Sequence, residues 1–297
     1  MMKLKLFLRN LARRGLLLNI LLAIYLTSGC SSSTTPTYTR ENIARSIQDI
    51  CWSEYKIEVK TKLVEDTVWV YLPLEDLFVK NTKAEKFSEK FAVEQINNEF
   101  SNDNLRLEYA IKAIPEQEGY QEYTYNKSAL EKMDSILKVL RRVVFSMGHS
   151  RTDEPKFFSF ITADIKNGFE IQEIFYYLDL KKVIYEFISW SEYQHRTIQD
   201  THIREEITGD REGLHVDYKN ITFEDFITAQ IRQRIKLKFQ KPEVDQNADI
   251  DKEILKIVVY TLKIYDFKDF NTVELNNLVT NYKTVLNQAA VWARARE

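Results

Sequence analysis

Apolar positions along the chain alternate between helical and extended spacing. From Arg40, the residues Ile43, Ile47, Ile50 and Cys51 recur at helical intervals and predict an amphipathic helix to about Glu54. Strict alternation follows at Ile57, Val59, Thr61 and Leu63 and again at Val68, Val70 and Leu72. With Glu65-Asp66 between the two runs, this predicts a hairpin ending near Pro73. Phe87, Phe91, Ile96 and Phe100 lie at roughly helical spacing and predict a helix over 84–100, after which Leu105, Leu107, Tyr109 and Ile111 alternate as a strand up to Pro115.

Asn126-Lys127-Ser128 opens the clearest helix, with Leu130, Met133, Ile136, Leu137, Leu140, Val143, Val144 and Met147 on one face and Gly148 at its end. Phe158 and Phe160 alternate after Pro155, and Lys166-Asn167-Gly168 turns the chain into Phe169 and Ile171, a second hairpin. Asp179 is placed to cap a helix through Val183, Ile184, Phe187 and Ile188. Residues 196–221 form the longest polar stretch. Thr222, with Asp225 three places on, then starts a helix through Phe226, Ile227, Ile231 and Ile235 that Pro242 closes. After a linker at 243–247, Ile254, Leu255, Val258, Val259 and Leu262 mark another helix. Near the C-terminus, Val273 and Leu275 alternate, whereas Leu278, Tyr282, Val285, Leu286 and Ala289 fit a helix better.

The expected class is α+β, with antiparallel hairpins bracketed by amphipathic helices and a helix-rich balance. Pro115, Gly119 and a polar run suggest a division into an N-terminal α+β unit at 40–115 and a helix-rich α+β unit at 127–297. The order helix, hairpin, helix, strand over 40–115 is similar to small lipid-associated modules of the BON type found in envelope proteins, although the glycine pattern of that family is missing.

The N-terminus has a different pattern. Lys3, Lys5, Arg9, Arg13 and Arg14, without an acid, lead into an apolar run from Leu16 to Leu26 broken only by Asn19, the layout of a secretory signal. A membrane-spanning helix needs about twenty apolar residues, so this run is too short for a stable anchor. Leu26-Thr27-Ser28-Gly29-Cys30 follows, with Thr27 at the place usual for leucine. Here the chain resembles bacterial lipoprotein precursors. The resemblance implies removal of residues 1–29, lipid on the Cys30 thiol, and a membrane as partner. Ser31, rather than Asp, implies passage to an outer membrane, facing the periplasm, in an organism with two membranes. Residues 30–39, rich in Ser and Thr with Pro36, read as a flexible tether.

Removing residues 1–29 takes away five cations and no acid, so 37 basic side chains remain against 44 acidic ones. A net charge of minus seven makes nucleic acid an unfavourable partner. With Cys30 lipidated, Cys51 is left without an intramolecular disulfide partner, and its helical phase points to packing. Past residue 30 the glycines are Gly119, Gly148, Gly168, Gly209 and Gly213, none in a Gly-rich loop between strand and helix. Phosphate cradles and dinucleotide turns need such loops, so no nucleotide cofactor is expected. Gly-x-Ser-x-Gly and Ser-x-x-Lys are absent too.

Candidate chemistry gathers at 190–220. Trp190 and Tyr193 offer rings for stacking on a sugar such as cell-wall glycan. His195 and His202, seven apart, together with His149, His215 and the carboxylates Glu192, Glu206, Asp210 and Asp217, raise a metal site, but no His-Glu-x-x-His or paired-cysteine spacing supports one. Asp245, Asn247, Asp249 and Asp251 alternate like a calcium loop, yet Ile250 and Lys256 stand where glycine and a bidentate carboxylate are required. Arg232, Arg234, Lys236, Lys238 and Lys241 form the densest cationic stretch, a solvated face if helical and an anion-facing row if extended.

The leading expectation is a lipid-anchored envelope protein with a noncatalytic interaction, scaffolding or assembly role, its partner another envelope protein or cell-wall glycan. The alternative is a hydrolase of cell-wall or lipid material using Glu205, Glu206, Asp210, Glu212 or a histidine brought into one cleft. A solute-binding lipoprotein is a third reading.

Overall fold

The computed structural model describes residues 38–147, 154–241 and 243–294, apart from the side chains of residues 84 and 85. The signal segment, Cys30, most of the tether and His149 lie outside them. In chain order the elements are α1 (Ile43–Tyr55), β1 (Lys60–Val64), β2 (Thr67–Leu74), β3 (Phe78–Ser101), β4 (Asn104–Tyr125), α2 (Lys127–Ser146), β5 (Phe157–Asp164) and β6 (Phe169–Tyr176). There follow α3 (Tyr177–Ile184), α4 (Trp190–Arg196), β7 (Ile198–Ile203), a 3-10 turn (Glu205–Ile207), α5 (Phe223–Phe239), α6 (Ile250–Ile264), β8 (Thr272–Asn277), β9 (Tyr282–Asn287) and α7 (Gln288–Arg294).

Local chemistry sets most of these boundaries. Lys56 takes a left-handed conformation after α1 and returns its N–H to Cys51 and Trp52. The Asn126 side chain accepts from the Ser128 N–H at the start of α2, and Thr222 and Asp225 close a reciprocal capping box on α5. Asn102 and Asp103, both with positive φ, make the two-residue turn that joins β3 to β4.

The class is α+β, in two mixed sheets. One has the order β1-β2-β5-β6-β7 and is antiparallel except where β2 meets β5; the other, β3-β4-β8-β9, is antiparallel except where β4 meets β8. Each sheet is thus built from hairpins joined side by side through one parallel contact. Each takes strands from both sides of residues 115–127, and Pro115 and Gly119 lie inside β4.

Val68, Val70 and Leu72 of β2, Phe158 and Phe160 of β5 and Phe175 of β6 pack in one core with Ile43, Ile47 and Cys51 of α1 and Ile136, Leu140 and Val143 of α2. Burial pushes the Cys51 thiol up to about 12, so it sits there as a protonated apolar group. The alternate residues Trp69, Tyr71, Ile161 and Ala163 pack with Ile207. A second core joins Phe91, Leu105, Leu107, Val273 and Leu275 to Phe226, Ile231 and Ile235 of α5 and Ile254, Val258 and Leu262 of α6.

Three expectations are corrected. Residues 84–100 belong to a strand, so the order that resembled the BON module does not occur. Register shifts between Glu89 and Phe91 and between Val93 and Gln95 explain the misreading. A bulge inserts one residue and resets which face is inward, so Phe91, Val93, Ile96 and Phe100 share one core at spacings that imitate a helix. Residues 282–287 also form a strand, at a sheet edge that leaves Tyr282 and Val285 exposed, which blurs the alternation. The helix expected through Ile188 stops at Ile184, with Tyr185 as its cap and Glu186 at positive φ.

Strands β3 and β4, at 24 and 22 residues, far exceed the usual five or six. Phe78 packs against the rings of Tyr125 and Phe169 at one end, the latter edge-on, and Phe91 packs edge-on against Phe239 nearer the other. Between these anchor points the ribbon is mostly exposed, and Phe87 lies across Gly119, where an added Cβ would collide with its ring.

Candidate functional site

Residues 204–221 form a strap over Trp69, Tyr71 and Ile161. Ile207 is its apolar foot, while the Trp69 indole donates to the Lys219 carbonyl (2.9 Å) and the Tyr71 hydroxyl to the Asp210 carbonyl (2.5 Å). At the far end the Ile221 N–H donates to the Thr67 hydroxyl (2.8 Å). Gly213 must be glycine: its φ is +71°, and a Cβ would strike the Tyr218 hydroxyl and crowd the Tyr71 ring at 3.1 Å.

Asp210 organises the middle of the strap. Its Oδ1 accepts from the N–H groups of Glu212 (3.0 Å) and Gly213 (2.8 Å), and its Oδ2 from the His215 N–H (3.0 Å) and ring Nδ1 (2.5 Å). The opposite ring nitrogen, Nε2, lies 2.8 Å from Oε2 of Glu170 on β6. The side chains of His215 and Glu170 are only 5% exposed. Burial would lower the His215 pKa, but hydrogen bonds to Glu170 and Asp210 outweigh it and raise the pKa above the ordinary imidazole value. Burial alone would raise the Asp210 carboxyl, yet the donors from His215 and Glu212 hold it below its usual range. Both ring nitrogens therefore sit within hydrogen-bond reach of a carboxylate, which pins the strap to the sheet.

Of the other sequence candidates, Glu205, Glu206 and Glu212 are exposed on the strap, and His202 lies on β7 opposite Glu170. Trp190 opens α4, 44% exposed, with the Arg141 guanidinium 5.3 Å from its ring centre and the Tyr193 ring at the same separation. Tyr193 itself is buried and stacks on Phe175. Half-buried His195 lines a groove with Arg234, Lys238 and Lys241. The cationic stretch is helical, so its extended-row reading does not apply. Of the calcium-like acids, Asp245 accepts from the Asn247 N–H, Asp249 caps α6, and Asp251 accepts from the Tyr109 hydroxyl (2.6 Å) and the Asn277 amide (2.7 Å).

Two buried charged groups, Glu170 and Asp179, and a half-buried one, Glu173, escaped the sequence reading. Glu170 was hidden by its place in an alternating strand. Asp179, expected only as a cap, is buried and receives Arg196 Nη1 at 2.8 Å, while Arg196 Nε reaches Glu192 at 2.8 Å. Glu173 has no hydrogen-bonding or ionic partner among the described residues, and burial pushes its carboxyl up to about 7. It pairs with Phe160 on one side and Gln199 on the other. A carboxylate between apolar strand residues is the only local signal for it.

Among the described residues no three His, Cys, Asp or Glu side chains converge in metal-binding geometry, and no helix is long and apolar enough to cross a membrane. No protein-family model matches the chain, and no curated protein or solved structure matches it.

Proposed function

We propose that the chain is a lipid-anchored protein of the cell envelope whose body has an interaction, scaffolding or assembly role rather than a catalytic one. Leu26-Thr27-Ser28-Gly29-Cys30 after a short cationic and apolar leader supports the anchor. The observation that carries the noncatalytic part is the placement of His215. In the one place where an acid and a histidine of the polar segment meet, both ring nitrogens are committed to Asp210 and Glu170. Such a clamp fixes a loop on a sheet and makes a rigid surface, which suits a scaffold better than proton transfer to a substrate. One acyl chain holds a protein only marginally, whereas two or more hold it firmly, so the proposed lipid on Cys30 keeps the body at its membrane, with the periplasmic face of an outer membrane as the expected site. Cys30→Ala should move the protein from the membrane pellet to the soluble envelope fraction. Undiminished membrane retention of that variant would overturn the anchor.

A further inference from the structure

A groove of about 700 Å³ runs along α6 to the end of α7. Lys252, Lys256 and Lys263 lie on one stripe of α6 and line it with Arg294. Between the cations lie Leu255, Val259 and Tyr260. Tyr260 also borders a second groove, of about 180 Å³, where the cations are Arg234, Lys238 and Lys241 beside His195. No carboxylate lines either groove among the described residues. Glu253 lies 2.7 Å from Lys256 and 3.0 Å from Lys238. Even so, positive charge is concentrated here on a chain whose net charge is negative.

Arg234 adds an independent observation. Its guanidinium lies 5.5 Å from the Tyr260 ring centre, and its buried Nη2 has no hydrogen-bond acceptor among the described residues. Glu192, at 4.0 Å, gives it ionic company but no hydrogen bond. The guanidinium lining the second groove therefore keeps unmet donor capacity, the chemistry that an anionic oxygen satisfies. The apolar strip narrows the choice of ligand, since a free phosphate has no use for half-buried Leu255 and an exposed Tyr260.

We propose that the two grooves flanking Tyr260 form a site for phosphate-bearing lipid headgroups, with the cations meeting phosphate oxygens and Leu255 and Tyr260 meeting the adjoining apolar part. The lining residues motivate this independently of any lipid on Cys30. Full-length protein carrying Cys30→Ala, which removes acyl anchoring, should co-sediment more strongly with mixed phosphatidylglycerol and phosphatidylcholine vesicles than with phosphatidylcholine alone. In that background Lys252→Gln, Lys256→Gln and Lys263→Gln together should lower partition onto the anionic vesicles roughly 100-fold, since each cation near such a surface contributes on the order of 1 kcal/mol. Partition onto neutral vesicles should not change. Lys80→Gln, Lys83→Gln and Lys86→Gln on the exposed ribbon remove the same charge elsewhere and should have a much smaller effect. An equal loss from the ribbon variant, or no loss from the α6 variant, would refute a localised site. Displacement of the protein from vesicles by glycerol phosphate at concentrations matching the lipid headgroups would reassign the site to a soluble phosphate and overturn the lipid proposal.

Discussion

Two buried charged clusters close in different ways. At Asp210 each carboxylate oxygen accepts two hydrogen bonds, three of the four donors being backbone N–H groups of the same loop. At Asp179, Arg196 and Lys182 both reach Oδ1, while Oδ2 and the neighbouring Tyr265 hydroxyl make no hydrogen bond of good geometry among the described residues. Both clusters remove charge from water, and attraction between a buried pair often only offsets that desolvation. The Asp210 cluster does more, because its bonds supply partners to backbone groups in a loop that has no ladder of its own. The contrast separates a charge that specifies a loop conformation from an ion pair that is merely accommodated.

The comparison breaks most readily at Asp210. Asp210→Ala leaves several loop N–H groups and Glu170 without their partner network, and should reduce the urea-unfolding free energy by roughly 4–5 kcal/mol. A loss below about 1 kcal/mol would show that the strap does not depend on the cluster. The gap between parent and variant should also depend on pH. The raised His215 pKa makes its contribution complete below about pH 6.5 and lost as pH rises through the folded-state value. The lowered Asp210 pKa makes its contribution complete above about pH 4 and lost as pH falls through its folded-state value. The widest gap therefore lies between those limits.

Arg196→Met tests the other cluster. Leaving buried Asp179 with only the longer contact to Lys182, at 3.5 Å, should cost about 3 kcal/mol, whereas Asp179→Leu combined with Arg196→Met should return stability to near the parent value. If the double variant is as unstable as the single one, the pair specifies structure as Asp210 does.

Glu173 gives the smallest expected effect and the opposite sign. Its pKa of about 7 means that the folded state resists ionisation while the unfolded chain ionises near the ordinary glutamate value. Burial of this group therefore reduces stability increasingly as pH rises from about 4 to 7. Glu173→Gln should raise the unfolding free energy by about 2 kcal/mol at pH 8 and leave it unchanged near pH 4, measured by urea titration at both pH values. Equal stability of parent and variant at pH 8 would place the carboxylate in water.

Local chemistry was sufficient for α1, α2, α5 and α6 and for the hairpins β1–β2 and β5–β6. Caps, turns and apolar period act between residues a few positions apart, and these signals are written in consecutive side chains. The proposed lipidation at Cys30 rests on sequence alone, since Cys30 lies outside the described residues. Strand β3 could not be read in this way, because bulges reset its alternation, and the partner strand that reveals them is selected by burial against α5. The two parallel joins, β2 with β5 and β4 with β8, link segments far apart in the chain and follow from which faces must be covered. Asp210 and His215 stood out as polar residues in a polar run. Only packing of the strap on the sheet brought Glu170, forty-five residues earlier, to the second ring nitrogen and made the histidine a buried cross-link.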